Sequence, residues 1–205
     1  MTFKHKILIT PLIFLFSCQT LEIEDSIGDL SHLLLKDTKS NLIEVRLNNS
    51  NKIIYKNNNT TSYAQDWINS STSNVLVTKN GKIVESFGFS NNMEIANLTL
   101  TDVFANVLKG TNQKKEYAVR LSNPDSGYLP AESIFSLIDE QAIIKNLKNT
   151  KISLFLVAER FHVGSIKWGG VNYYWVDENS VVWKSRQKIH PYDINIEYQI
   201  APEAQ

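Results

Sequence analysis

Three sets of residues are candidates for chemistry in this sequence: the single cysteine Cys18, the adjacent carboxylates Asp139 and Glu140, and Glu159 with His162 close behind it. A pair of carboxylates astride a bond is what a glycoside hydrolase uses, and a histidine near a carboxylate can pass a proton. Adjacent residues on a strand point to opposite faces, however, and on a helix they diverge by about 100°, so Asp139 and Glu140 read as solvated. Glu159 and His162 are close in sequence, which is not triad geometry, and no Gly-x-Ser-x-Gly turn presents a nucleophile. The histidines His5, His32, His162 and His190 form no metal-ligand spacing with one another or with Cys18, so no metal is expected. Neither Gly-x-Gly-x-x-Gly nor a Walker loop occurs, and no cofactor is expected.

The chemistry assigned to Cys18 is of another kind. A basic start (Lys4, His5, Lys6), an apolar run from Ile7 to Phe16 broken only by Thr10 and Pro11, and small Ser17 read as a signal peptide over residues 1–17. The run is far shorter than the ~20 residues a membrane-spanning helix needs. Leu15-Phe16-Ser17-Cys18 matches a lipobox, which makes Cys18 the lipid attachment site and the N-terminus of the processed chain. Acylation there adds the two or more chains that stable anchoring takes. Gln19 follows rather than the Asp that favours inner-membrane retention, so the expected location is the outer membrane of the cell envelope, facing the periplasm or the cell surface. With its only thiol acylated the chain has no disulfide, and residues 18–205 must form a single domain held by its core. The 21 Lys and Arg balance 21 Asp and Glu without a long basic cluster, so nucleic acid is not an expected partner.

The elements that must position these groups are mostly strands. Ile23, Ile27, Leu30, Leu33 and Leu34 recur at helical spacing and predict a short N-terminal helix over 21–36. Beyond it the period shortens. Leu42–Leu47, Lys52–Lys56, Asn74–Thr78, Lys82–Glu85, Tyr117–Leu121, Ile152–Ala158, Asn172–Val176, Val181–Ser185 and Ile194–Ile200 read as strands between Asn/Ser/Thr turns. Asn80-Gly81 supplies the two positive φ angles of a type I′ hairpin turn. Thr101–Leu108 reads as a small helix that Gly110 can end. The predicted class is mainly β: a curved antiparallel sheet, as a barrel, part-barrel or sandwich, with the N-terminal helix and one or two small helices.

Aromatic residues concentrate in the C-terminal third, where Trp168, Tyr173, Trp175 and Trp183 are the candidate contacts for a glycan or a protein partner. Aromatic faces stack on sugar rings, and their polar tips suit interfaces. Packing inside a curved sheet is the competing reading, because aromatics favour strands in any case.

Two blocks of sequence resemble the YjbF/GfcB-type lipoproteins encoded with exopolysaccharide and group-four capsule export systems. The first is Trp67 with Val75-Leu-Val-Thr-Lys-Asn-Gly-Lys-Ile-Val84 and Phe87-Gly-Phe89. The second is Asn172-Tyr-Tyr-Trp-Val-Asp177 with Val182-Trp-Lys-Ser-Arg-Gln-Lys-Ile189 and Pro191. The chain departs from the pattern at Lys82, where Arg is usual, at Ser180, where the hairpin usually has Gly, and at His190, where Gly often precedes Pro. The resemblance implies a mainly antiparallel β fold and a non-catalytic outer-membrane lipoprotein that assists capsule or exopolysaccharide secretion or surface assembly. Its implied partners are the membrane, through the N-terminal lipid, the polysaccharide and proteins of the export machinery. The alternative is an envelope glycan hydrolase acting through Glu159 or Asp139/Glu140 with His162.

Overall fold

A computed structural model describes residues 42–200 apart from 49, 61–63, 146–150 and 193. The signal peptide, Cys18, Gln19 and the helix expected over 21–36 lie outside the described residues. Thr38–Gln205 forms one compact unit. Its strands are β1 (Leu42–Leu47), β2 (Ile53–Thr60), β3 (Gln65–Ile68), β4 (Val75–Lys79), β5 (Lys82–Phe87), β6 (Met93–Ala96), β7 (Gln113–Leu121), β8 (Tyr128–Lys145), β9 (Lys151–Val163), β10 (Trp168–Val176), β11 (Val182–His190) and β12 (Ile194–Ile200). One helix, α1 (Val103–Leu108), lies between β6 and β7. Every strand pairs antiparallel with its neighbour in sequence, and β1 pairs with both β2 and β12. The ladder therefore closes into a barrel, one of the three forms open at the level of sequence. Among the described residues no helix is long and apolar enough to cross a membrane.

Period-two alternation fills the barrel. On β12, Ile196 and Tyr198 face the interior at full burial; on β1, Ile43 and Val45 do the same. Trp67 on β3 and Leu76 on β4, which are registered with each other, join them. A second apolar cluster gathers Phe135, Val157, Tyr174, Val176 and Val182 under α1, which buries Val103, Phe104 and Val107. The Phe104 ring meets Phe135 edge-on at 6.0 Å and Tyr174 at 5.2 Å. This explains a six-residue helix that could not stand alone: tertiary packing supplies what its length does not.

The expected β4–β5 hairpin is present, with Asn80 at φ 45° and Gly81 at φ 79°. Its tip leans against the β11 wall, where a Cβ on Gly81 would lie 2.4 Å from Val182 Cβ. The Gly81 carbonyl accepts from Gln187 Nε2 at 3.0 Å and from the Tyr198 hydroxyl. Strands β3, β6 and the 18-residue β8 are not among the strands expected from sequence. Much of β8, from Ala131 onward, has residues of helical preference, but pairing with β7 from Tyr128 to Phe135 and with β9 from Glu132 to Lys145 decides its state.

Candidate functional site

The hairpin carries Lys82 into the barrel, where it meets Glu159 of β9. Nζ lies 2.7 Å from both carboxylate oxygens, and the side chains are 3% and 0% exposed. Glu159 Oε2 also accepts from the Tyr174 hydroxyl at 2.6 Å and from Asn172 Nδ2 at 2.9 Å, both on β10. Gln187 of β11 accepts the Ile83 backbone N–H at 2.9 Å and reaches Ser185 Oγ at 2.8 Å through Nε2. Asn172 Oδ1 takes the Lys188 backbone N–H at 2.9 Å. This layer lies between the two apolar clusters, since Glu159 alternates with Val157 and Phe161 along β9.

Burial alone would raise the Glu159 pKa. The charge of Lys82 and the hydrogen bonds from Lys82, Tyr174 and Asn172 outweigh it and hold the carboxyl below its ordinary value. The Tyr174 hydroxyl moves far upward, first through burial and then through the Glu159 charge beside it. Glu159 is thus an ionised carboxylate whose oxygens are already occupied by partners of its own chain. That suits a structural anion and leaves little for a general acid.

His162 does not join it. The side chains of Glu159, Phe161 and Val163 enter the core, while Arg160 and His162 alternate onto the outside and are exposed. Asp139 and Glu140 are exposed at the irregular stretch of β8, where Asp139 Oδ1 accepts the Gln141 N–H at 2.9 Å. The structure therefore brings together none of the carboxylate–histidine combinations that the hydrolase alternative needs. Asn172, Tyr174, Gln187 and Lys82 form the cluster around Glu159, and sequence reasoning did not select it. Lys82, Asn172 and Gln187 all fall within the two blocks quoted above; charged and amide residues at inward strand positions were the available signal.

The four candidate rings separate. Trp168 is 8% exposed and packs edge-on against Phe161 at 4.9 Å, so it belongs to the core. Tyr173 and Trp175 share the outer face of β10 and are half-buried. Lys184 Nζ sits 5.0 Å over the Trp175 ring and 3.0 Å from Glu197 Oε1. Trp183, displaced by the irregularity between Trp175 and Val176, donates Nε1–H to Asp177 Oδ2 at 3.0 Å. The other Asp177 oxygen takes the N–H groups of Asn179 and Val181, both at 2.9 Å, so Trp183 braces this turn. The outer face left for contact centres on Tyr173 and Trp175, with Arg186 exposed beside Tyr173 in register.

The barrel is packed with side chains and carries a buried ion pair within and a half-buried aromatic face without. The family model described as group 4 capsule polysaccharide lipoprotein GfcB, YjbF, matches residues 30–200, and the chain belongs to this family. The fold is similar to that in the crystal structure of the hypothetical lipoprotein YmcC from Escherichia coli (K12), with a TM-score of 0.68 over 89% of this chain and 95% of that one, at 19% identity. No curated protein matches the sequence.

Proposed function

We propose that this capsule-related lipoprotein is a non-catalytic accessory factor in the secretion or surface assembly of a capsule or exopolysaccharide, anchored at the outer membrane through a lipid on Cys18. Membership of a family described by its link to group 4 capsule is the observation that carries the reading. The lipobox at Cys18 and the residue Gln19 support the anchor and its membrane. Separation of Glu159 from His162 supports a role other than hydrolysis. In this reading Tyr173 and Trp175, with Trp183 at the edge, contact the polysaccharide or a protein of the export machinery.

The test is a strain lacking the gene, complemented in turn by the wild type and by Cys18→Ala. Wild type is expected to restore surface polysaccharide and to fractionate with the outer membrane. Cys18→Ala is expected to do neither while accumulating in soluble form. Membrane-bound, fully active Cys18→Ala would contradict the anchor; normal surface polysaccharide in the deletion strain would contradict the role.

A further inference from the structure

The seams of the barrel are unequal. β9 and β10 share nine registered pairs, from Trp168↔Val163 to Val176↔Phe155, whereas β5 and β6 share one, Glu85↔Glu94. Like charges directly opposite each other destabilise a strand pair. Asp66 on β3 extends the row, since it is registered with Val77, which is registered with Glu85. The cations around this row are Lys79 on β4 and Arg120 on β7, the latter in register with Glu94. Arg120 is turned to Asp125 instead, with Nε at 3.0 Å and Nη2 at 2.8 Å, while Glu94 accepts from the Tyr128 hydroxyl on β8.

Side chains take backbone groups at this seam, one from across it and one from another wall. The Met93 N–H goes to Ser86 Oγ at 2.9 Å, and the Ile83 N–H to Gln187 on β11. Strand β5 is pinned by Lys82–Glu159, by Gln187 and by its hairpin partner β4, whereas β6 is held to it by the one registered pair and the Met93–Ser86 bond. Behind the seam lies a cavity with room for about one water molecule, where Ile83, Met93 and Phe161 meet the polar side chains of Lys82, Asn172 and Gln187.

We infer that the barrel opens along β5–β6, a gate onto this cavity that is weakened by the facing carboxylates Glu85 and Glu94. Burial first, then Glu94 and then Asp66, push the Glu85 carboxyl above its ordinary value, with Lys79 opposing. A carboxyl raised in the closed state supports closure fully below the ordinary value of 4.5, and that support is lost as pH rises through the raised value. Opening therefore increases with pH.

Hydrogen exchange read by mass spectrometry on the full chain, normalised for intrinsic exchange, tests this between pH 4, below the ordinary value of 4.5, and pH 8. Amides of 83–86 and 93–96 are expected to exchange faster than those of β9, by a margin that widens with pH. Glu85→Gln and Glu94→Gln should each slow the seam by about two- to five-fold at pH 8. Asp125→Asn, which frees Arg120 for Glu94 without touching either carboxylate of the pair, should slow it as well. A seam as protected as β9 across the pH range, or one whose exchange neither Gln variant alters, would overturn the gate.

Discussion

Lys82 and Glu159, 77 residues apart in sequence, grip each other at 2.7 Å through both carboxylate oxygens inside the barrel. The pair ties the β4–β5 hairpin to the far wall and settles how the barrel is filled. Two buried charges are costly to desolvate, and the cost is offset here by direct contact and by hydrogen bonds from Tyr174 and Asn172.

Lys82→Met is expected to destabilise the protein by about 3–5 kcal/mol, because it strands a buried carboxylate. Lys82→Met combined with Glu159→Leu should recover most of that loss. Urea unfolding of the three proteins measures both, and a double variant no better than the single would show that the pair is not acting as a unit.

Acid should unfold the barrel partly through the same group. The Glu159 pKa is lowered in the folded state, so its contribution is present above the ordinary value of 4.5 and is lost as pH falls through the lowered one. Melting curves from pH 7 downward are expected to fall more steeply for the wild type below pH 4.5 than for the double variant. Parallel curves would remove Glu159 as a source of acid sensitivity.

Turn residues give opposite signs at two hairpins. Gly81→Val meets both a positive φ of 79° and the Val182 side chain, and should cost well over 1 kcal/mol, about the strain of the left-handed region alone. Ser180 holds φ 67° without being glycine, so Ser180→Gly should stabilise by up to about 1 kcal/mol. Thermal melting of each variant checks the pair of signs.

Ring by ring, the aromatic set should divide as its packing does. Trp168→Ala is expected to cost about 3–5 kcal/mol and to melt many degrees early, as a large core deletion does. Tyr173→Ala should melt close to wild type. If it also weakens binding to the cognate polysaccharide or to purified export components, the outer face of β10 is the contact surface; intact binding to both would remove it.

The strand pattern was legible wherever alternation was clean, as in β1, β4 and β12, and the Asn80-Gly81 turn was legible from its two residues. The long β8 was not, because from Ala131 to Lys145 the order of apolar and polar residues carries no single period across its irregularities at Leu137–Ala142. The charged cluster was not legible either: Lys82 and Glu159 meet only through closure of the barrel, which no local pattern encodes. Family resemblance marked Lys82 as a departure from Arg without revealing its partner. Trp183 shows the same limit in reverse, since its tie to Asp177 depends on a local register shift that displaces it from the alternation.

The most direct measurement is surface polysaccharide in a deletion strain complemented by His162→Ala and by the Asp139→Asn/Glu140→Gln double variant, with protein levels matched by immunoblot. These residues are exposed and lie outside both core clusters, so each variant is expected to fold. An accessory factor that performs no hydrolysis predicts full restoration by both. Loss of surface polysaccharide at normal protein level in either strain would contradict that account and point to catalysis.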